Sequence, residues 1–287
     1  MTFFSLLAYI VGVDIYEEVC AFYRAVKTEK TVIGKSCFGR DIYAVKIGDG
    51  FPVGIAQYAI HGREYITAKL AFAQYSYGIK KGSFWLVPLM NVDGALLSQT
   101  GIDSVQKSAD REFLKKINGE KNDFSLWKAN GRGVDLNVNF PALWGKGLKN
   151  VRAPSGENYI GEKPFSEVET RALKRFTEKI RPDYTVSYHT KGEEIYWEFH
   201  QSTRTCPRDK RLAEALSAST GYAICETQGS VGGYKDWCIR RFKIPAFTVE
   251  TGRDCLQHPI GEEGLEDIIE KNEKSLDDLS KEYVRLL

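Results

Sequence analysis

The sequence is short of histidine, with four in 287 residues, and shorter still of methionine, with two. It has no Cys-x-x-Cys pair, no block of like charge and no apolar run long enough to cross a bilayer. Each lack excludes something. Without paired cysteine spacing, and with ample material for a core, Cys20, Cys37, Cys206, Cys225, Cys238 and Cys255 read as reduced thiols and not as a disulfide framework. Forty basic against thirty-eight acidic residues leave a net charge of +2, spread along the chain, so no nucleic-acid partner is expected. The apolar opening Met1 to Val13 lacks the basic start and small-residue cleavage site of a signal peptide, and a membrane span needs about 20 residues. A cytoplasmic protein with no membrane span is the expectation, unless a leader precedes this start.

What is present can fill a sizeable core: 43% of residues are apolar. Apolar runs bounded by turn residues alternate with stretches of helical period, the pattern of an α/β fold on a mixed sheet. "IYAVKIG" and "FPVGIAQYAI" read as a pair of strands joined at Gly48 to Gly50, and "SFWLVPLMN", "DYTVSYH" and "IPAFTVE" as further core strands. Helices are expected over 14–27, 65–78, 166–180, 208–220 and 262–286, with Ser166 and Glu169 forming a capping box for the third. The Gly-, Asn- and Lys-rich stretch 100–160 reads as a long functional loop. A single domain over 1–287 is expected, with a helical segment to residue 30 and the core from 31. "GKS" at 34–36 is not a phosphate loop, because the glycine required five residues earlier is Glu29.

In "AIHGREY", His61 and Glu64 stand three apart near a predicted strand end, so their side chains can converge. Taken alone, that spacing is better explained by a capping glutamate beside a polar loop histidine. His189, however, also ends a predicted core strand, and strand ends are where open α/β sheets present ligands. Two histidines and a glutamate with a fourth position open are the pattern of a catalytic zinc site; the alternative for His189 is a buried ring bonded to backbone. Glu250 ends a further apolar run, the setting for a general base. "WKANGRGVDLNVNF" offers Lys128 and Arg132 to hold an oxyanion, and Asp135 to hold the far nitrogen of a zinc histidine.

"IHGREY", "NVDGALL", "GRGVDLNVNF", "SYHT", "GGYKDW" and "FTVETG", in that order over roughly residues 30–260, resemble the zinc carboxypeptidase family of carboxypeptidases A, B and T. The resemblance implies an eight-stranded mixed sheet flanked by helices. It also implies one zinc per chain, held by His61, Glu64 and His189, with Glu250 promoting attack by water. Two positions depart from the family. The Asn-Arg pair whose arginine grips a terminal carboxylate reads Asn137-Val138, and the tyrosine four residues before the double glycine is Gln228. Capture of a chain end is therefore not expected there.

"WKAN.RGVDLNVNFPALW", "YHT.GE.IYW" and "GGYKDW" resemble a narrower branch, the bacterial γ-D-glutamyl-L-diamino acid endopeptidases. That resemblance implies hydrolysis of the γ-D-glutamyl to meso-diaminopimelate bond of cell-wall peptides. With no wall-binding repeat, the expected partner is a small acidic muropeptide. Arg132 is preferred as the oxyanion donor, with Lys128, which follows a tryptophan as in the family's Trp-Arg element, as its competitor. Asn137, Lys235 and Arg253, with Arg240 behind them, are the residues expected to meet substrate carboxylates. Tyr196 and Trp197 read as strand packing, and neither His200 nor His258 as a ligand. The alternatives are an ordinary metallocarboxypeptidase, a related zinc amidase or deacylase, and a binding module with a structural or lost zinc site.

Overall fold

A computed structural model describes residues 13–227 and 229–287; the apolar opening and Gln228 lie outside the described residues. The elements run α1 (Ile15–Ala25), β1 (Lys30–Lys35), β2 (Asp41–Asp49), β3 (Val53–Tyr58), α2 (Thr67–Tyr77), β4 (Gly82–Val87), α3 (Val92–Thr100) and α4 (Ser108–Ile117). After a long irregular stretch follow α5 (Val168–Ile180), β5 (Tyr184–Thr190), β6 (Glu194–Tyr196), α6 (Cys206–Thr220), β7 (Ala223–Cys225), α7 (Tyr234–Phe242), β8 (Ala246–Thr251), α8 (Leu265–Asn272) and α9 (Ser275–Arg285). No described helix is long and apolar enough to cross a membrane, and the six cysteines are free.

The eight strands form one mixed sheet in the order β1-β2-β4-β3-β5-β8-β6-β7. Its centre, β4-β3-β5-β8, is parallel, while β2 against β4 and β6 against β8 are antiparallel. The parallel strands are covered on both faces, which is why they read as largely apolar runs without strict alternation; every residue of β4 and β5 is buried. All four central strands end at the same edge, so the loops that follow β3, β5 and β8 meet there.

Several expectations are corrected. The two strands joined by the Gly48–Gly50 turn are consecutive but not partners, because β4 lies between them. The capping box does not form: Glu167 is the N-cap residue, and the Glu169 carboxylate accepts instead from the Cys37 amide at 2.8 Å. The stretch 262–286 is two helices, since the Ser275 hydroxyl takes the Asn272 carbonyl at 2.7 Å where the turn would continue. Within 100–160 the chain forms α4 and then an irregular, bonded segment.

Behind the edge lies a buried polar network. Tyr58 and Tyr188, on adjacent strands, stack with ring centroids 5.0 Å apart. Gln74 accepts from the Tyr58 hydroxyl and donates to that of Tyr188 at 2.9 Å, and Tyr188 is also bonded to Ser275 at 2.7 Å. A satisfied network of this kind specifies one packing arrangement, and here it fixes the strand ends that carry the site. Lower down, a Cβ at Gly54 would lie 2.3 Å from Phe84 and 2.7 Å from Tyr184, both fully buried. Gly54→Ala is expected to lower stability by about 1–3 kcal/mol through overpacking, read as an earlier urea midpoint with unchanged slope.

Candidate active site

β3 runs out at Tyr58, and a 3-10 turn over Gly62–Glu64 follows, with His61 at its start and Glu64 at its end. Thr67 holds that turn, its hydroxyl donating to the Glu64 carbonyl at 2.8 Å and accepting from the Ala59 amide at 2.9 Å. Gly62 has no room for a side chain: a Cβ there would lie 2.4 Å from the Gly94 carbonyl oxygen and 2.8 Å from that of Trp127. This close approach lets the Gly62 amide donate to the Lys128 carbonyl at 3.0 Å. Asn91 completes the join, donating to the carbonyls of Ile60, Lys128 and Ala129.

His189, at the end of β5, comes in from the neighbouring strand. Nδ1 of His61 lies 2.8 Å from Glu64 Oε1, Nδ1 of His189 lies 2.9 Å from Glu64 Oε2, and the two Nδ1 atoms are 3.1 Å apart. All three side chains are buried. Two ring nitrogens and a carboxylate thus aim at one point, and a shared proton cannot satisfy all of these contacts together. Nitrogen and carboxylate oxygen ligands at about 2.0–2.2 Å from a common centre are what a zinc ion uses, and the cluster fits one. Burial opposes ionisation of Glu64, yet the two imidazoles hold its carboxyl well below the usual range.

Asp135 stands behind His61, with Oδ1 3.3 Å from Nε2 of that ring and Oδ2 3.1 Å from Lys128 Nζ. Although the carboxyl is fully buried, Lys128 and His61 keep it ionised far below the ordinary range. Burial works against the Lys128 charge, but Asp135 and Glu64 more than restore it. A carboxylate in this position fixes which His61 nitrogen carries the proton and so turns Nδ1 toward the metal point.

These groups open onto a cleft of about 450 Å³ lined by His61, Lys128, Asn137, Glu194, Lys235 and Glu250, among others. Glu250 sits in register with His189 across β5 and β8. Burial raises its carboxyl to about 7, aided by Glu64 and opposed by His189 and Lys128, so it can exchange a proton near neutrality. Asn137 accepts from the Tyr234 amide at 3.2 Å through Oδ1, which leaves its amide group as the donor end. Lys235 is buried and bonded to Asp236 Oδ1 at 2.7 Å and to the Glu198 carbonyl at 2.9 Å.

Arg132 does not join this cluster, which corrects its expected place beside the metal point. The Asn130 side chain accepts from the amides of Arg132 and Val134, both at 3.0 Å, and this tight turn points Arg132 away. Its side chain is 58% exposed, lies 3.8 Å from Glu167 and lines a different cavity of about 900 Å³. Arg253 and Arg240 are exposed and line neither cavity. Val138 does line the cleft, and the described lining contains no arginine. His258 is bonded to Thr190 at 3.4 Å and Trp197 is packed in the core. Sequence reasoning assigned no role to Glu194; the three-residue strand β6 that places it is too short to show a period.

A second group of ligand-type atoms, on Cys37, Asp93 and Glu169, lies beside the other cavity. Its acceptors already have donors: Asp93 accepts from Arg40 at 2.7 Å and from the Phe38 amide at 2.8 Å, and Glu169 from the Cys37 amide. It therefore reads as an anchor for the loop at 36–40.

Wild-type protein is expected to bind one zinc ion per chain by elemental analysis after dialysis. His189→Ala should abolish retention, and Asp135→Asn should weaken zinc affinity by about 10- to 100-fold without removing a ligand.

The family profile described as zinc carboxypeptidase matches residues 24–274. The chain is 31% identical over 251 residues to gamma-D-glutamyl-L-diamino acid endopeptidase 1 of Lysinibacillus sphaericus, covering 81% of this chain but only 62% of that relative. Murein peptide amidase A of Escherichia coli K12 is 37% identical over 122 residues, which is 39% of this chain and 46% of that protein. In three dimensions the chain resembles bovine thrombin-activatable fibrinolysis inhibitor, solved in complex with tick carboxypeptidase inhibitor. That match has a TM-score of 0.73 and 20% identity and covers 95% of each chain, a likeness of fold. With the ordered motifs, the buried His-Glu-His cluster and the profile match in agreement, the chain belongs to the zinc carboxypeptidase family, as a zinc metallopeptidase.

Proposed function

We propose that this protein hydrolyses the amide between a γ-D-glutamyl residue and the diamino acid that follows it in peptidoglycan stem peptides. The observation that carries this reading is the cleft wall at Asn137-Val138. Where the carboxypeptidases place a forked guanidinium to grip a chain end, this cleft presents an amide and an isopropyl group. Similarity to an endopeptidase whose name specifies that bond, and over a shorter stretch to a murein peptide amidase, supports the same substrate class.

His61, Glu64 and His189 would hold a zinc ion, which when bound would supply Lewis acidity toward the scissile carbonyl and toward water. The chain's own residues do the rest. Glu250 takes a proton from the attacking water and later passes it to the departing amine, so that water adds across the C–N bond to give a γ-carboxylate and a free amino group. Lys128, not Arg132, is the cation for the developing oxyanion: it lines the cleft, while Arg132 faces another cavity. Asp135 holds both His61 and Lys128, so metal ligand and oxyanion donor share one support. For an acidic substrate, Lys235 and the Asn137 amide offer the donors in the cleft.

The test is a mass-spectrometric digest of L-Ala-γ-D-Glu-meso-diaminopimelate and of the same peptide extended by D-Ala, beside an ordinary peptide with a free carboxyl end. Release of diaminopimelate from the first and of diaminopimelyl-D-Ala from the second is expected. Loss of D-Ala alone, or trimming of only the ordinary peptide, would instead establish a plain carboxypeptidase. Glu250→Gln should lower kcat by about 10²- to 10⁴-fold while keeping its zinc. Lys128→Met should cost about 10²- to 10³-fold in kcat, and Arg132→Ala should leave turnover unchanged.

A further inference from the structure

The two carboxylates that follow His189 are treated differently by the fold. Glu193 is ion-paired, its Oε1 2.5 Å from Lys271 Nζ. Glu194 begins β6 and pairs directly with Glu250 across the antiparallel β6–β8 ladder. Residues directly opposite in such a ladder project from the same face, and like charges placed there destabilise the pair. Glu194, Tyr196, Thr248 and Glu250 accordingly line one wall of the cleft.

No cation among the described residues is within ion-pair distance of Glu194. Its neighbours are neutral donors: the Tyr196 hydroxyl at 2.5 Å and the Cys225 thiol. Of the lysines lining the cleft, Lys128 is bound to Asp135 and Lys235 to Asp236, while Lys149 is exposed on the loop at 147–150. A half-buried carboxylate that faces the cleft with no cation of its own is available to pair with a charge that a ligand brings.

We propose that Glu194 binds the second amino group of the diamino acid and makes the enzyme selective for a leaving residue that carries one. This deepens the reading above and rests on it. Once the α-nitrogen of a diamino acid lies in the scissile amide, its remaining amine is a free ammonium at neutral pH. Glu194, on the wall that holds Glu250, supplies the complementary charge. Lys235 in the same cleft would meet a carboxylate on the same distal carbon, so the pair suits a zwitterionic end.

The experiment compares kcat/KM for three tripeptides, L-Ala-γ-D-Glu-X, with X as meso-diaminopimelate, L-lysine or L-2-aminopimelate; the last lacks only the distal amine of the first. Wild type should favour the diaminopimelate peptide over the aminopimelate peptide by on the order of 10- to 100-fold, the worth of a hydrogen bond to a charged group. Glu194→Gln, checked for zinc content and circular dichroism, should lose activity on the two amine-bearing peptides and keep it on the third. Equal loss on all three would mean that Glu194 acts only through Glu250, and would overturn the proposal while leaving the hydrolase reading intact. Wild type alone gives a second measurement: free L-lysine should inhibit about tenfold more strongly than L-norleucine, and equal inhibition would also overturn it. Cleavage of none of the three, with trimming of an ordinary peptide, would remove the γ-D-glutamyl reading and this proposal with it.

Discussion

The sheet edge is organised around three buried polar side chains whose mutual contacts cannot all be satisfied by protons at once. His61, Glu64 and His189 present two ring nitrogens and two carboxylate oxygens to a single point, at 2.8–3.1 Å from one another. Desolvating such a group is costly unless a cation completes it, so the surroundings must hold the ligands ready for one. They do so from below through the stacked tyrosines and Gln74, and from behind through Asp135. The Gly62 contact then brings the backbone of Lys128 alongside. The places of the three clustered side chains and of Lys128 are set by the same few contacts.

Much of this was legible in the sequence, for a physical reason. The central parallel strands are covered on both faces, so they appear as largely apolar runs, and a histidine or glutamate at the end of such a run stands out. His61, His189 and Glu250 were found in that way. Asp135 and Lys128 stood out as polar side chains around a tight turn. The long amphipathic helices α1, α5 and α6 were likewise visible through their period.

What was not legible depends on side chains whose effects are local or very distant. The Asn130 side chain bends the chain between Lys128 and Val134, and a spacing argument cannot tell which of two nearby cations such a turn sends outward. Glu169 leaves its helix cap for an amide 132 residues earlier in the chain, a partner no local pattern reveals. Helix α3 is buried over most of its length and so has no polar face to mark a period. Strands β6 and β7 have three residues each, and it is β6 that carries Glu194.

The two sides of the cleft have different origins. The ligands, Glu250 and Lys128 are fixed by the parallel strand ends and by the loop at 127–135, within a tightly bonded frame. Glu194 and Tyr196 come from the three-residue strand β6 near the margin of the sheet, and Leu148, Lys149, Thr227 and Gly229 line the cleft from irregular segments. On the proposed reading, a substitution on β6 changes which leaving group is accepted and leaves the ends of β3, β5 and β8 in place. Within one groove the centre of the sheet and its margin thus stand face to face, and a change at the margin need not travel to the centre.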